Sequence, residues 1–113
     1  MNIYDKTHEL ARGLKESQEY NEYKKLRKEL YSNEETKKLI KEFEQKQQEV
    51  QLVTVQGKMP EDEKIKKLQE LYAILLQNPK VKQYFDVQIR FNVLLADINK
   101  IIAESVKDAF EEM

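Results

Sequence analysis

The chain has 113 residues, 36% of them charged and 40% apolar, with two glycines, two prolines and no cysteine. So few turn formers exclude an all-β domain, which needs a turn every ~8–12 residues, and a Gly-rich phosphate loop; the missing cysteine excludes disulfides, thiolate metal sites and iron–sulfur clusters. Twenty basic residues against twenty-one acidic ones, net −1, give no field that would gather nucleic acid or anionic lipid.

Helical spacing runs almost from end to end. Ile3, Thr7, Leu10 and Leu14 follow the rhythm of one helix face. Ser17 then reads as an N-cap, since its hydroxyl can accept a free backbone N–H at a new helix start. Tyr20, Tyr23, Leu26 (or Arg27) and Leu30 carry the next face. Ser32-Asn33 is a second break, and Glu34 and Glu35 stand where a helix dipole favours negative charge. Leu39, Ile40, Phe43, Val50 and Val53 share a face up to about Gln56. The stretch Gly57-Lys58-Met59-Pro60 is the strong turn, with glycine closing one helix and proline opening the next. Ile65, Leu68, Tyr72 and Leu75 give the fourth face. Asn78-Pro79 is a cap followed by a first-turn proline, and a single pattern then runs to about Glu111 through Val81, Phe85 (with Tyr84), Gln88, Phe91, Leu95, Ile98, Ile102, Val106 and Phe110.

The expected fold class is therefore all-α: an elongated hairpin or bundle of about five helices with a long C-terminal helix. It forms a single domain over residues 1–113, with an N-terminal half 1–56, a turn 57–60 and a C-terminal helical hairpin 61–113. A weak echo between residues 33–40 and 78–85 reflects the common way capped amphipathic helices begin. The last helix, at about 33 residues and 1.5 Å per residue, measures about 50 Å. A compact domain of ~100 residues has a radius of gyration of only ~13 Å. A helix that overshoots its own globule means that the molecule is elongated or that the helix is kinked; long protruding helices commonly bury their faces against a second copy, and a homodimer is expected.

Tyr84, Val87, Phe91, Leu94, Leu95, Ile98, Ile101 and Ile102 fall within one arc of that helix. Ile89, Val93 and Ala96 do not fit and form a second line at i, i+4, i+7 on the polar side. Either the helix is central and covered on both sides by its own chain, or this stripe meets a subunit or partner. The candidate interface residues are accordingly Ile89, Val93, Ala96, Phe91, Leu95, Ile98 and Ile102.

Chemistry is sparse. His8 is the lone histidine, and a carboxylate-bridged diiron bundle would need two Glu-x-x-His pairs. Ser17, Ser32 and Ser105 lack a Gly-x-Ser-x-Gly elbow. Acidic pairs such as Glu34/Glu35 and Glu61/Asp62 suit helix starts. No catalytic residue, metal or cofactor is expected, and the reading is not an enzyme. The densest basic patch, Lys24-Lys25-Leu26-Arg27-Lys28, supports the alternative of an RNA-binding adaptor, but Glu22 and Glu29 flank it and suggest ordinary helical ion pairing. A small-ligand binder is a third possibility, against which stands the absence of polar groups at predicted core positions. The longest apolar run, Leu71 to Leu76, is far short of the ~20 residues that span a bilayer. The N-terminal residues lack the order of a secretion signal, so the expected compartment is the cytoplasm.

The order of the pieces carries a resemblance. A short amphipathic helix leads into LKESQEYNEYKKL at residues 14–26, then NEETKKLIKEFE at 33–44 and a Gln-rich helix. The chain closes with LQNPKVKQYF at 76–85 and LLADINKII at 94–102. This resembles the YlbF/YmcA-like family of small bacterial helical proteins, most closely its YheA-type branch, along nearly the whole chain. The resemblance implies an all-helical, oligomer-forming cytoplasmic protein of Gram-positive bacteria. Its best-known members are regulatory accessory factors that associate with one another and with the RNA-decay endonuclease RNase Y, and influence competence, sporulation and biofilm formation. Some carry a cysteine-rich segment holding an iron–sulfur cluster; this chain departs from that pattern. The family supplies no catalytic residue to carry over. The expected role is a non-catalytic, self-associating interaction protein with partners in a bacterial regulatory complex.

Overall fold

The computed structural model describes residues 2–111. Among these residues the chain is all-α, with six helices and no strand: α1 Ile3–Glu16, α2 Gln18–Tyr31, α3 Glu34–Val55, α4 Asp62–Leu75, α5 Pro79–Ser105 and a single turn, α6, Lys107–Phe110.

The helix boundaries follow from local chemistry. Asn2 caps α1, its side chain accepting from the Tyr4 N–H at 2.8 Å. Ser17 does what a cap residue should, accepting from the Tyr20 N–H at 3.2 Å. At the second break the cap is Asn33, whose side chain accepts from the Thr36 N–H at 3.1 Å. α3 ends in a Schellman motif: Gly57 is left-handed at φ 79, the Lys58 N–H donates to the Val53 carbonyl at 3.1 Å, and the Gly57 N–H donates to the Thr54 carbonyl at 3.0 Å. Pro79 opens α5 at its first position, with the Asn78 side chain accepting from the Lys80 N–H at 3.0 Å.

Two expectations are corrected. Pro60 does not open α4; the helix begins at Asp62 after Glu61, which makes no side-chain cap bond. The final helix does not run unbroken to Glu111. It ends at Ser105, whose hydroxyl donates to the Ile102 carbonyl at 2.6 Å, and the backbone departs from helical angles at Val106 (φ −111, ψ 6). A serine bonding back onto the preceding turn competes with continued helix.

By internal packing the chain forms two compact units, Met1–Lys24 with Phe85–Met113 (unit 1) and Lys25–Tyr84 (unit 2). In unit 2, α3 packs along α4. Ile40, Val81 and Tyr84 are fully buried there, beside Leu30, Phe43, Leu71 and Leu75. The Phe43 and Tyr72 rings lie 5.7 Å apart. Leu71 takes the core position expected of Tyr72, which stays 43% exposed. In unit 1, the Phe91 ring of α5 sits 5.9 Å from Tyr20 and 6.3 Å from Tyr23 on α2. Arg90 and Glu22 pair at 3.4 Å on the outside of the same contact. Phe85 and Val87 are the buried residues of this unit.

Candidate interaction surface

The helical frame places the side chains named from sequence as follows. Phe91 is half-buried against the two tyrosines, and Leu95 and Ile98 are half-buried on the same side of α5. Ile102, on that side but further along, is 53% exposed, and Ile101 next to it 67%. Ile89 and Val93 are 61% and 53% exposed, and Ala96 is exposed one turn on. This chain therefore leaves the second stripe open. Ile89 and Val93, with Glu19, Arg90, Leu94 and Asp97, line a shallow depression of about 330 Å³. Its floor is apolar and its rim carries both signs of charge.

Apolar surface is open elsewhere too. α1 buries none of its residues, and Ile3 and Tyr4 stand almost free. Its apolar face was legible; that nothing in the chain buries it was not. In unit 2, Leu52, Val55 and Met59 are exposed around the end of α3.

The polar candidates separate differently. His8 is exposed on α1. Within the basic stretch, the Arg27 guanidinium points into unit 2, where Nη1 donates to the Tyr84 hydroxyl at 3.0 Å and the group lies 4.6 Å from the Tyr31 ring centre. The Lys24 ammonium lies 5.5 Å from the ring centre of Tyr20. Lys25 and Lys28 remain on the outside. Two of the four cations are thus engaged with the chain's own aromatics, which weakens the stretch as a phosphate-binding surface. A cleft of about 270 Å³ in unit 2 is lined by Lys46, Glu49, Glu61, Glu63, Lys64 and Lys67. Its charges are balanced, so it offers no net field to an ion. Among the described residues no three histidine, aspartate or glutamate side chains come together as metal ligands, and no helix is long and apolar enough to cross a membrane.

Fold and surface together define a small all-α protein whose helices carry apolar stripes on the outside. The chain belongs to the family described as control of competence regulator ComK, YlbF/YmcA, whose sequence profile matches residues 3–107. Among its relatives, a UPF0342 protein of Caldicellulosiruptor saccharolyticus is 37% identical over 112 residues, covering 99% of this chain and 92% of that one. A UPF0342 protein of Halothermothrix orenii is 36% identical over 102 residues, covering 90% and 86%. Two solved structures share the fold. One is a protein of unknown function (DUF964) from Bacillus stearothermophilus, with TM-score 0.78, 13% identity and coverage of 98% and 97%. The other is yheA from Bacillus subtilis, with TM-score 0.68, 24% identity and coverage of 97% and 100%. The resemblance read from the sequence is thereby shown. The family is a regulatory one rather than a known enzyme family.

Proposed function

We propose that this protein is a non-catalytic interaction factor that self-associates through α5 and works in the cytoplasm as an accessory subunit of a regulatory complex. The observation that carries this reading is the line of Ile89, Val93 and Ala96 on a helix whose opposite side is already turned to the chain's own core. An apolar stripe open to water costs about 25 cal/mol per Å² relative to burial, and a chain this rich in charge had polar residues to place there instead. Family membership supports a regulatory setting, since its description names control of a competence regulator. By resemblance that setting extends to developmental control and RNA decay.

The test is Ile89→Lys combined with Val93→Lys. Both residues are more than half exposed, so helicity by circular dichroism should stay at the parent level. Association measured by light scattering should weaken at least tenfold. Association unchanged by the double substitution would remove the stripe from the interface.

A further inference from the structure

Unit 1 leaves two apolar strips open, and they match each other. On α1, Ile3, Leu10 and Leu14 stand one above another at helical spacing, and none is buried. On α5, Ile98, Ile101 and Ile102 form the second strip; every residue from Asn99 to Glu111 is exposed. Ile3 to Leu14 rises about 17 Å at 1.5 Å per residue, long enough to cover the strip from Ile98 to Ile102, which rises about 6 Å.

Charge complements shape. At about 100° per residue, Lys6 borders the apolar side of α1 on one edge and Lys15, with His8, on the other, while Asp5, Glu9 and Glu16 turn to the back. The α5 strip is bordered on one edge by Asp97 and Glu104, which stand seven residues apart. Two α5 strips laid antiparallel on one another would set these acids against their own copies. An α1 laid there sets lysine against them, whichever way it runs, because both its edges are basic. Lys6 reaches only Glu9 of its own helix, at 3.4 Å with both side chains 56% exposed, a contact that is readily exchanged.

The joint between α1 and α2 holds α1 in place for such a role. One residue, Ser17, connects the two helices, in extended conformation at ψ 148. Its Oγ donates to the Leu14 carbonyl at 2.7 Å and accepts from the Tyr20 N–H at 3.2 Å. The Asn21 amide donates to the Lys15 carbonyl at 3.1 Å and to the Ser17 carbonyl at 2.9 Å. These bonds set the angle at which α1 leaves α2.

We propose that α1 of one copy packs on the Ile98–Ile102 strip of a second copy, and reciprocally, with one of its lysine edges against Asp97 and Glu104. The inference rests on the self-association reading above and adds a second contact, on the side of α5 opposite Ile89 and Val93.

The chain has no cysteine, so introduced thiols report contacts cleanly. Leu10→Cys and Ile101→Cys are made as separate proteins, mixed and oxidised; a single thiol cannot close within one chain, and a disulfide requires Cα atoms within about 7 Å. The expected product is a linked pair containing one chain of each kind, in clear excess over either like pair. Like pairs dominating, or no link at concentrations where the parent chain is a dimer by light scattering, overturns the exchange of α1 and leaves self-association standing. A parent chain that stays monomeric overturns both. As an independent readout, Lys6→Glu with Lys15→Glu should weaken association at least tenfold, and adding Asp97→Lys with Glu104→Lys to the same chain should restore it. Unchanged association after the first pair, or no recovery after the second, also overturns the proposal.

Discussion

Replacing Tyr84 by phenylalanine removes one oxygen from the middle of unit 2 and leaves the ring in place. The side chain is fully buried, and its hydroxyl accepts from Arg27 Nη1 at 3.0 Å and donates to a Glu44 carboxylate oxygen at 3.5 Å. A hydrogen bond to a charged group is worth about 1.5–3 kcal/mol. Arg27 is half-buried, so water replaces part of the bond and the lower end applies. The arm to Glu44 lies at the limit of hydrogen-bonding distance and adds little. Tyr84→Phe should therefore cost about 1.5 kcal/mol, or about 6 °C of melting temperature at roughly 4 °C per kcal/mol for a chain of this length. Arg27→Ala also takes away the guanidinium 4.6 Å from the Tyr31 ring centre and the packing of its stem, so about 2–3 kcal/mol is expected. The two substitutions should couple by about 1 kcal/mol in a double-mutant cycle. The measurement is urea unfolding followed by circular dichroism, at one fixed protein concentration because association contributes to apparent stability. A Tyr84→Phe protein within about 0.5 kcal/mol of its parent, or a coupling near zero, would show that the oxygen joining α2, α3 and α5 does no net stabilising.

Gly57→Ala should destabilise by about 1–2 kcal/mol. A Cβ at Gly57 would meet nothing within 4 Å, so the whole cost is the left-handed backbone at φ 79; an unchanged melting temperature would deny that the Schellman turn needs glycine. Asn33→Ala should cost about 1 kcal/mol by removing the cap on α3, whereas Glu61→Asn should add stability, because Glu61 makes no side-chain cap bond; the two thermal melts shifting in the same direction would contradict this. Filter binding of a generic RNA at two salt concentrations should show no retention, given that Arg27 and Lys24 are engaged with tyrosines; retention that falls steeply with salt would revive the phosphate-binding reading.

Which parts of this architecture could be read from residues follows the range of the interactions involved. Ser17, Asn33, Gly57 and Asn78-Pro79 were legible as breaks because a cap or a left-handed glycine acts within four residues of itself. The end of α5 was not. Ile102, Val106 and Phe110 keep helical spacing past the point where the backbone turns away at Val106, and periodicity reports a face, not a terminus. Tyr72 and Leu71 are adjacent, so a period of 3.6 admits either to the core; the leucine is buried, while Tyr72 stays partly exposed with its ring against Phe43 of α3. Arg27 looked like one member of a basic run because its partner, Tyr84, lies 57 positions away. The same limit applied to the interaction surface: the stripe of Ile89 and Val93 and the face of α1 were visible as patterns, but whether the chain covers its own stripe is a tertiary fact.

The contrast between the two units has a dynamic consequence. Most of the buried side chains belong to unit 2, whereas α1 buries none and α5 buries none beyond Val87. A helix of 14 residues is marginal by itself, since isolated helices shorter than ~12–15 residues are barely stable in water. Its caps at Asn2 and Ser17 contribute about 1 kcal/mol each, too little to hold it closed for long. Opening of α1 and of the last turns of α5 should thus require far less free energy than opening of α3 and α4. Hydrogen exchange on dilute protein should show α1 amides exchanging orders of magnitude faster than those around Ile40 and Phe43. Raising the protein concentration should slow α1 and distal α5 together and leave the Ile40 region nearly unchanged, because covering a face by a second copy stabilises only the segments it covers. Protection of α1 that is already high and independent of concentration would mean that a contact within the chain holds this helix, and the open apolar faces would need another explanation.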